Sequence, residues 1–265
     1  MSGIVLEKTE FAYLLATLHA TSIVGIDDVE LFPADKEARD STYVAGLKNL
    51  QEHGWLKPIP QQPGQQNLDD TLLLMTAVIA DPQYVIFTVR HSSGDNQQIL
   101  LHYLAEPDIV ELSATPEGKY RLGVVPDRLA MLQRIQEMLG LPEKSGAAPV
   151  QFTIEEQAFL TVQDLAEHGQ RDQAAALLKE RGINGNNGDS LLTALQSADS
   201  GNLVVVVRPR SGEIVAGRKA TVFRQKDLTW LTRRVDAESN TLKVETVQAD
   251  TLPNVLSSYI QFLAK

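Results

Sequence analysis

The sequence predicts an α+β protein that is internally duplicated, with a pseudo-twofold central antiparallel sheet flanked by helices. Three observations predict this class. The chain has 265 residues, of which 43% are hydrophobic, so it can bury a sizeable core. Its apolar segments are short and of two kinds. Some have apolar residues at helical spacing, and others are continuous apolar runs typical of strands. Their order occurs twice along the chain, which is the signature of a repeat.

The first copy begins with two helices, at residues 7–19 and 43–54, each with apolar residues at intervals of three and four. A third helix at 68–81 opens with Asp69 and Asp70, whose charges complement the positive helix N-terminus. The continuous apolar core of residues 85–87 then predicts a strand that is covered on both faces. The predicted strands of this copy are 83–90, 97–104, 108–113 and 119–125, and a closing helix spans 126–139.

The second copy repeats this order. Helices are predicted at 154–167, 172–182 and 189–199, and a glycine ends the middle helix in both copies, Gly54 in the first and Gly182 in the second. Strands follow at 203–208, 214–223, 228–234 and 241–247, and the terminal helix spans 252–263. Because short turns join consecutive strands, the strands are expected to be antiparallel.

The copies define the predicted domain organisation: a first α+β unit at 1–140, a linker at 141–151 and a second unit at 152–265. The linker is rich in Pro, Gly, Ser and Ala. The first copy is longer, and its excess lies mainly at 27–40 and 58–66, both of which have the composition of loops.

Composition excludes several classes of function. The chain has no cysteine, so disulfides, thiolate metal sites and cysteine nucleophiles are absent. Its net charge of −10 is the opposite of what a general nucleic-acid binder shows, so nucleic acid is an improbable partner. No apolar run approaches the ~20 residues that span a bilayer, and no signal segment is recognisable. A cytoplasmic protein without membrane insertion is expected.

The sequence predicts no catalytic residue, no metal site and no cofactor. The five histidines lack the spacing that aims two imidazoles at one metal ion. His53 and His168 each precede a glycine at a helix end, where capping is the simpler role. The Gly- and Asn-rich segment at 182–188 follows a helix rather than a strand, and no Lys-Ser/Thr pair follows it, so it does not read as a phosphate loop.

One charge feature is a candidate binding surface. Residues 208–234 hold eight basic and two acidic side chains, although the protein as a whole is acidic. Such a cluster is either a solvated sheet face, whose charges discourage strand pairing, or a docking face for an acidic partner. The candidate partner-binding residues are Arg208, Arg210, Arg218, Arg224, Arg233 and Arg234.

The order of elements resembles the EspG family of type VII (ESX) secretion-associated chaperones. The resemblance lies in the helix around residues 11–18, the segment YVAGLKNLQEHGW at 43–55, the helix and strand at 68–90, and DLTWLTRR at 227–234. It implies a non-enzymatic chaperone that binds the helical tip of a secreted helical heterodimer and keeps it soluble until export. The family often uses an extended hairpin loop for this contact, whereas the turn of the first hairpin here, at 92–96, is short.

Two other classes remain open on the residues alone. An enzyme of an unrecognised family would need no local signature, and a regulatory ligand- or DNA-binding protein could use the early helices for recognition, although the acidic first half disfavours DNA. The sequence does not predict the oligomeric state.

Overall fold

A computed structural model describes residues 3–26, 29–59, 66–92, 96–142, 150–197, 200–207, 215–225, 228–236, 238–248 and 250–263. Within them the fold is α+β, as predicted. The first repeat contains β1 (Ile4–Leu6), α1 (Lys8–Thr17), α2 (Lys36–Glu52), β2 (Leu56–Pro58), β3 (Gln66–Leu68), α3 (Asp70–Ala80), β4 (Tyr84–Ser92), β5 (Asn96–Ala105), β6 (Asp108–Ala114), β7 (Tyr120–Val125) and α4 (Arg128–Leu139). The second contains β8 (Gln151–Glu155), α5 (Glu156–Glu167), α6 (Arg171–Glu180), α7 (Asn186–Leu195), β9 (Ser200–Val207), β10 (Val215–Gln225), β11 (Leu228–Arg234), β12 (Thr241–Val247) and α8 (Leu252–Leu263).

Ten strands form one antiparallel sheet in the order β1-β7-β6-β5-β4-β9-β10-β11-β12-β8, and β2 pairs with β3 separately. Both repeats contribute their strands in the same order, namely β4, β5, β6, β7, β1 and β9, β10, β11, β12, β8. The registers also match. Ser113 pairs with Arg121 in the first repeat, and Arg233 pairs with Lys243 in the second. The duplication predicted from the order of elements is therefore confirmed.

The chain packs as two compact units that do not simply follow the repeats. One contains residues 1–85 and 100–131, and the other contains 86–99, 132–207 and 215–265. In the first unit, α3 packs on β6 and β7, and Phe11 of α1 contacts Tyr120 with ring centroids 5.2 Å apart. In the second, α5, α6 and α7 close a core around Trp230 and Phe223, which are both buried. The repeat boundaries at 1–140 and 152–265 remain a prediction.

Each repeat begins with a strand that the sequence analysis missed. β1 and β8 lie at the two ends of the sheet order. They also have matched registers, with Ile4 opposite Leu122 and Phe152 opposite Val244. Three residues are too few to show alternation in β1, and β8 runs into α5 without a turn residue between them. Periodicity and turn signals therefore gave no sign of either strand.

Two further expectations about the first repeat were wrong. Its second helix begins at Lys36 rather than at residue 43, because Asp35 caps it by accepting a hydrogen bond from the Ala38 backbone N–H at 2.8 Å. The first turns of this helix are polar, so apolar spacing did not reveal them. The supposed loop at 58–66 also contributes to a small hairpin, because Pro58 pairs with Gln66.

The terminal helix α8 lies where the sequence predicts it, and its Leu252 and Val255 are buried. Among the described residues, no helix is both long and apolar enough to cross a membrane.

Candidate partner-binding surfaces

The basic residues of 208–234 lie on two neighbouring strands where the structure describes them. Arg218 and Arg224 belong to β10, and Arg233 belongs to β11 directly opposite Ala220 of β10. Since alternate residues of a strand share a face, these three arginines lie on one face of the sheet, whereas Arg234 lies on the other. The remaining two candidates, Arg208 and Arg210, lie outside the described residues.

Arg233 belongs to a half-buried ion network. Its Nε lies 2.9 Å from Glu245 Oε1, and Lys243 Nζ lies 2.6 Å from Glu245 Oε2. Burial by itself would raise the pKa of Glu245, but the hydrogen bonds from Lys243 and Arg233 outweigh it and hold the pKa below its usual value of 4.5. Two cations share one carboxylate here, so the network carries an excess positive charge.

Arg234 and Arg224 also contact residues of their own unit. Arg234 binds Glu156, the first residue of α5, with Nη2 2.8 Å from Oε2. The guanidinium of Arg224 lies so close to Gly140 that a Cβ there would overlap it. A cation beside the last turn of α4 is favourable, because the unpaired carbonyls of a helix end carry partial negative charge. Arg218 is half-buried on β10. These arginines therefore help to hold the second unit together, and their contact with a partner remains a proposal.

A second candidate surface, which the sequence analysis did not identify, is a leucine-lined cleft in the first unit. We call it the α1–α3 cleft. It has a volume of about 530 Å³, and no ionisable acid, lysine, arginine or histidine lines it. Its lining residues are Tyr13, Leu14, Thr17, Leu18, Leu47, Leu56, Gln66, Leu68 and Leu73.

Comparison of the repeats shows how the lining of this cleft differs. α3 begins at Asp70 and α7 begins at Asn186, so Leu73 of α3 is equivalent to Asp189 of α7. Both are exposed, but the first repeat has a leucine, 41% exposed, where the second has a carboxylate. In the second repeat α6 packs directly on α7. In the first repeat the hairpin β2–β3, which has no counterpart in the second, forms part of the wall of the cleft.

The sequence contained only an indirect signal for this cleft. The extra length of the first copy at 58–66 marks the hairpin that forms part of its wall. The apolar run 72–75 does not reveal which leucine faces outward, because Leu72 is buried while Leu73 and Leu74 are exposed. That difference depends on tertiary packing rather than on local pattern.

His53 is an internal hydrogen-bond and ion-pair partner. His53 ends α2, and its Nδ1–H donates to the fully buried Glu10 carboxylate at 2.7 Å. Glu10 also accepts from the Glu7 backbone N–H, at 2.7 Å. At the equivalent positions the second repeat has Ala158 and Arg181, so the fold itself does not require the pair.

His102 is also fully buried. Its Nε2 lies 3.4 Å from Glu111 Oε2 on the neighbouring strand, and neither of its ring nitrogens makes a hydrogen bond. The described residues contain no group of three His, Asp or Glu side chains arranged to hold a metal ion.

No family model and no curated protein matches the chain. Solved structures do match it, and they define its class of fold as that of the EspG type VII secretion chaperones, which confirms the fold expected from the resemblance. The particular match is the Mycobacterium tuberculosis chaperone EspG5, solved in complex with the PE25–PPE41 dimer. The TM-score is 0.73 over 98% of this chain and 96% of that chain, at 12% sequence identity.

Proposed function

We propose that this protein is a non-enzymatic, cytoplasmic chaperone that binds a helical heterodimeric substrate of type VII secretion and keeps it soluble before export. The observation that carries the proposal is the match of fold over nearly the whole chain to EspG5, a chaperone solved with such a dimer bound. A chaperone of this kind binds and releases its substrate, so it needs complementary surfaces rather than a catalytic centre.

The two candidate surfaces fit the two tasks of such a contact. An apolar cleft can anchor large side chains, which provide most of the energy of an interface. A set of charges mainly accelerates association and selects the partner. The α1–α3 cleft of the first unit has the first property, and the basic residues of 208–234 have the second.

Co-expression tests the proposal. The chain is produced together with a PE–PPE-type helical pair from its own source organism, and the complex is isolated through a tag on the chain and resolved by size exclusion. We expect all three polypeptides to elute together, with the pair soluble only when the chain is present. The same purified chain is titrated with duplex DNA at physiological salt.

A chain that fails to bind every such pair contradicts the proposal. Salt-resistant DNA binding would instead support the regulatory alternative. The Arg208→Glu/Arg210→Glu variant should still bind the pair at equilibrium, although more slowly.

A further inference from the structure

We propose that the outer edge of β8 is a docking site for a second copy of this chain, whose own β8 pairs with it antiparallel, so that the sheet continues across a twofold axis. This pairing is an assembly of the chain with itself, and it goes beyond the proposed function.

Hydrogen bonds at both ends of β8 show which of its residues face β12. The Thr246 N–H donates to the Val150 carbonyl oxygen at 2.9 Å, and the Glu156 N–H donates to the Asn240 carbonyl oxygen at 2.7 Å. Because the residues of an antiparallel strand bond alternately to one side and the other, the even-numbered residues of β8 bond to β12. The odd-numbered residues direct their N–H and C=O groups away from the sheet: Gln151, Thr153 and Glu155.

This outward side of β8 is open in the part of the chain that the structure describes. Gln151, Thr153 and Glu155 are all exposed, and β8 is the last strand in the order of the sheet. The sequence from 150 to 156 contains neither lysine nor proline, two residue types that protect edge strands from pairing. An open edge of five residues is a template for a further strand.

The first repeat shows how the equivalent edge can be closed. Glu7 and Glu155 are equivalent, since each is the N-cap residue of the helix that follows its edge strand. The Glu7 N–H donates to Glu10 Oε2 at 2.7 Å, whereas the residue at the position of Glu10 in the second repeat is Ala158, which has no acceptor. β1 also has only three residues. The second repeat therefore has the longer edge and the less protected one.

The side chains of β8 are complementary to those of a second β8. A twofold axis through the middle of the strand places Thr153 opposite itself, and this register overlaps all five residues with their outward groups facing each other. Phe152 then lies opposite Ile154 of the second copy, an aromatic–β-branched pair of the kind that stabilises sheets. Gln151 lies opposite Glu155 of the second copy, so an amide meets a carboxylate.

Phe152 also has surface left to bury. Its ring centroid lies 6.1 Å from that of the buried Trp230, yet Phe152 itself is only half-buried. Ile154 of a second copy would cover its exposed side, and removal of apolar surface from water is favourable.

The charges beside β8 permit the approach of a second copy. Glu155 is balanced by Arg181, whose Nη1 lies 3.3 Å from Glu155 Oε2. Lys243 lies opposite Thr153 on β12. Three strand spacings, about 14 Å, separate Lys243 from its equivalent in the second copy. This distance exceeds the screening length of about 8 Å at physiological salt, so the two lysines repel each other only weakly.

Proline variants test the edge. A pair of five-residue strands buries less surface than a standard interface of about 1,600 Å², so the dimer should depend on concentration, and sedimentation velocity is recorded at about 10 μM and about 200 μM. Thr153→Pro removes one outward N–H and leaves the bonds to β12 in place, because proline is tolerated where the N–H of an edge strand faces solvent. Val5→Pro makes the same change at the equivalent position of β1 and is the matched control. Circular dichroism and the thermal midpoint verify that both variants fold.

Single cysteines test the register, since the chain has none of its own. Thr153→Cys places two thiols opposite each other at a Cα separation of about 5.5 Å, which a disulfide can span. In Gln151→Cys the two thiols are offset by about 13 Å along the strand. Val5→Cys, on the exposed side of β1, reports random collision. Oxidised glutathione is the oxidant, and non-reducing gels measure the covalent dimer.

We expect wild type and Val5→Pro to form dimers at the higher concentration and Thr153→Pro to remain monomeric. Thr153→Cys should cross-link at least about tenfold faster than Gln151→Cys or Val5→Cys, because pairing holds its thiols at a high effective concentration. A mixture of Gln151→Cys and Glu155→Cys should cross-link faster than either variant alone. The proposal is overturned if wild type is monomeric at both concentrations, if the two proline variants sediment alike, or if Thr153→Cys cross-links no faster than Gln151→Cys.

Discussion

At the scale of single residues, the second repeat shows which polar pairs the fold can do without. His102 and Glu111 are a directly opposed pair on β5 and β6, and the equivalent pair on β10 and β11 is Val222 and Leu231. The same sheet position is therefore filled by a buried polar pair in one repeat and by an apolar pair in the other. A buried ion pair contributes little stability, because the cost of desolvation offsets the attraction.

We therefore expect the double variant His102→Val/Glu111→Leu to be as stable as wild type or more stable, by up to ~4 kcal/mol. Glu111→Leu alone should be less stable than the double variant by about 1–3 kcal/mol, because it leaves the polar imidazole buried among apolar side chains. Urea denaturation followed by circular dichroism measures both. A double variant less stable than the single one would show that the pair is integral to the first repeat.

The ion network of Glu245 predicts a specific dependence of stability on pH. Its pKa in the folded protein lies below the usual value of 4.5. The network therefore stabilises the fold above pH 4.5, and this contribution is lost as the pH falls through the lowered pKa.

The difference in unfolding free energy between wild type and Glu245→Gln should accordingly be largest at neutral pH and shrink in acid. The exposed Glu238→Gln is the control, for which little difference is expected at any pH. A difference between wild type and Glu245→Gln that does not change with pH would contradict this role of the network.

At the scale of elements, the two helices that begin the first repeat cross unusually closely. A Cβ on Gly46 of α2 would lie 2.1 Å from the backbone carbonyl oxygen of Thr9 on α1. The equivalent position of α6 is the buried Ala174, so the second repeat accommodates the larger residue. Glycine is required in the first repeat by this approach of two backbones.

Gly46→Ala should therefore destabilise the protein by about 1–3 kcal/mol, although alanine favours an isolated helix. Ser41→Ala, at an exposed position of the same helix, is the control for helix propensity and should be neutral or slightly stabilising. The urea midpoints of the two variants show whether steric overlap at Gly46 outweighs the higher helix propensity of alanine. An unchanged or raised midpoint for Gly46→Ala would mean that the two helices can move apart without cost.

The sequence predicted elements best where they bury a face. The strands β4, β6, β11 and β12 and the terminal helix lie close to their predicted bounds, because continuous apolar runs or helical spacing specify them. The edge strands β1 and β8 and the polar start of α2 were missed, since pairing at one edge and a single capping aspartate leave little trace in hydrophobic periodicity. Of the two candidate surfaces, the basic residues could be predicted from composition. The α1–α3 cleft could not, because it depends on how far apart the helices pack.

At the scale of the whole molecule, the duplicated topology provides two versions of one architecture that differ in surface properties. The open α1–α3 cleft occurs in the first repeat. The basic strands are in the second, whose sequence also contains Arg208 and Arg210 between β9 and β10. An acidic partner should be attracted to that charge before it docks.

Reversal of Arg208 and Arg210 to glutamate should lower the association rate with the helical pair by about tenfold at low salt, and by less at high salt, because ions screen the attraction. Stopped-flow fluorescence at the two salt concentrations measures the rates. Lys36→Glu/Lys179→Glu changes the net charge equally at two exposed positions elsewhere and serves as the control. Equal association rates for the reversed and control variants would show that the basic residues are only a solvated sheet face and do not contribute to partner capture.

A protein that keeps a helical secretion substrate soluble should suppress the aggregation of that substrate. Light scattering is recorded as a PE–PPE-type pair is diluted from denaturant with an equimolar amount of the chain, and separately with the same amount of serum albumin. We expect the chain to suppress scattering at this ratio and to leave the pair in a defined soluble complex, whereas albumin should do neither. Scattering that is unaffected by the chain, for every pair from the same source organism, would contradict it.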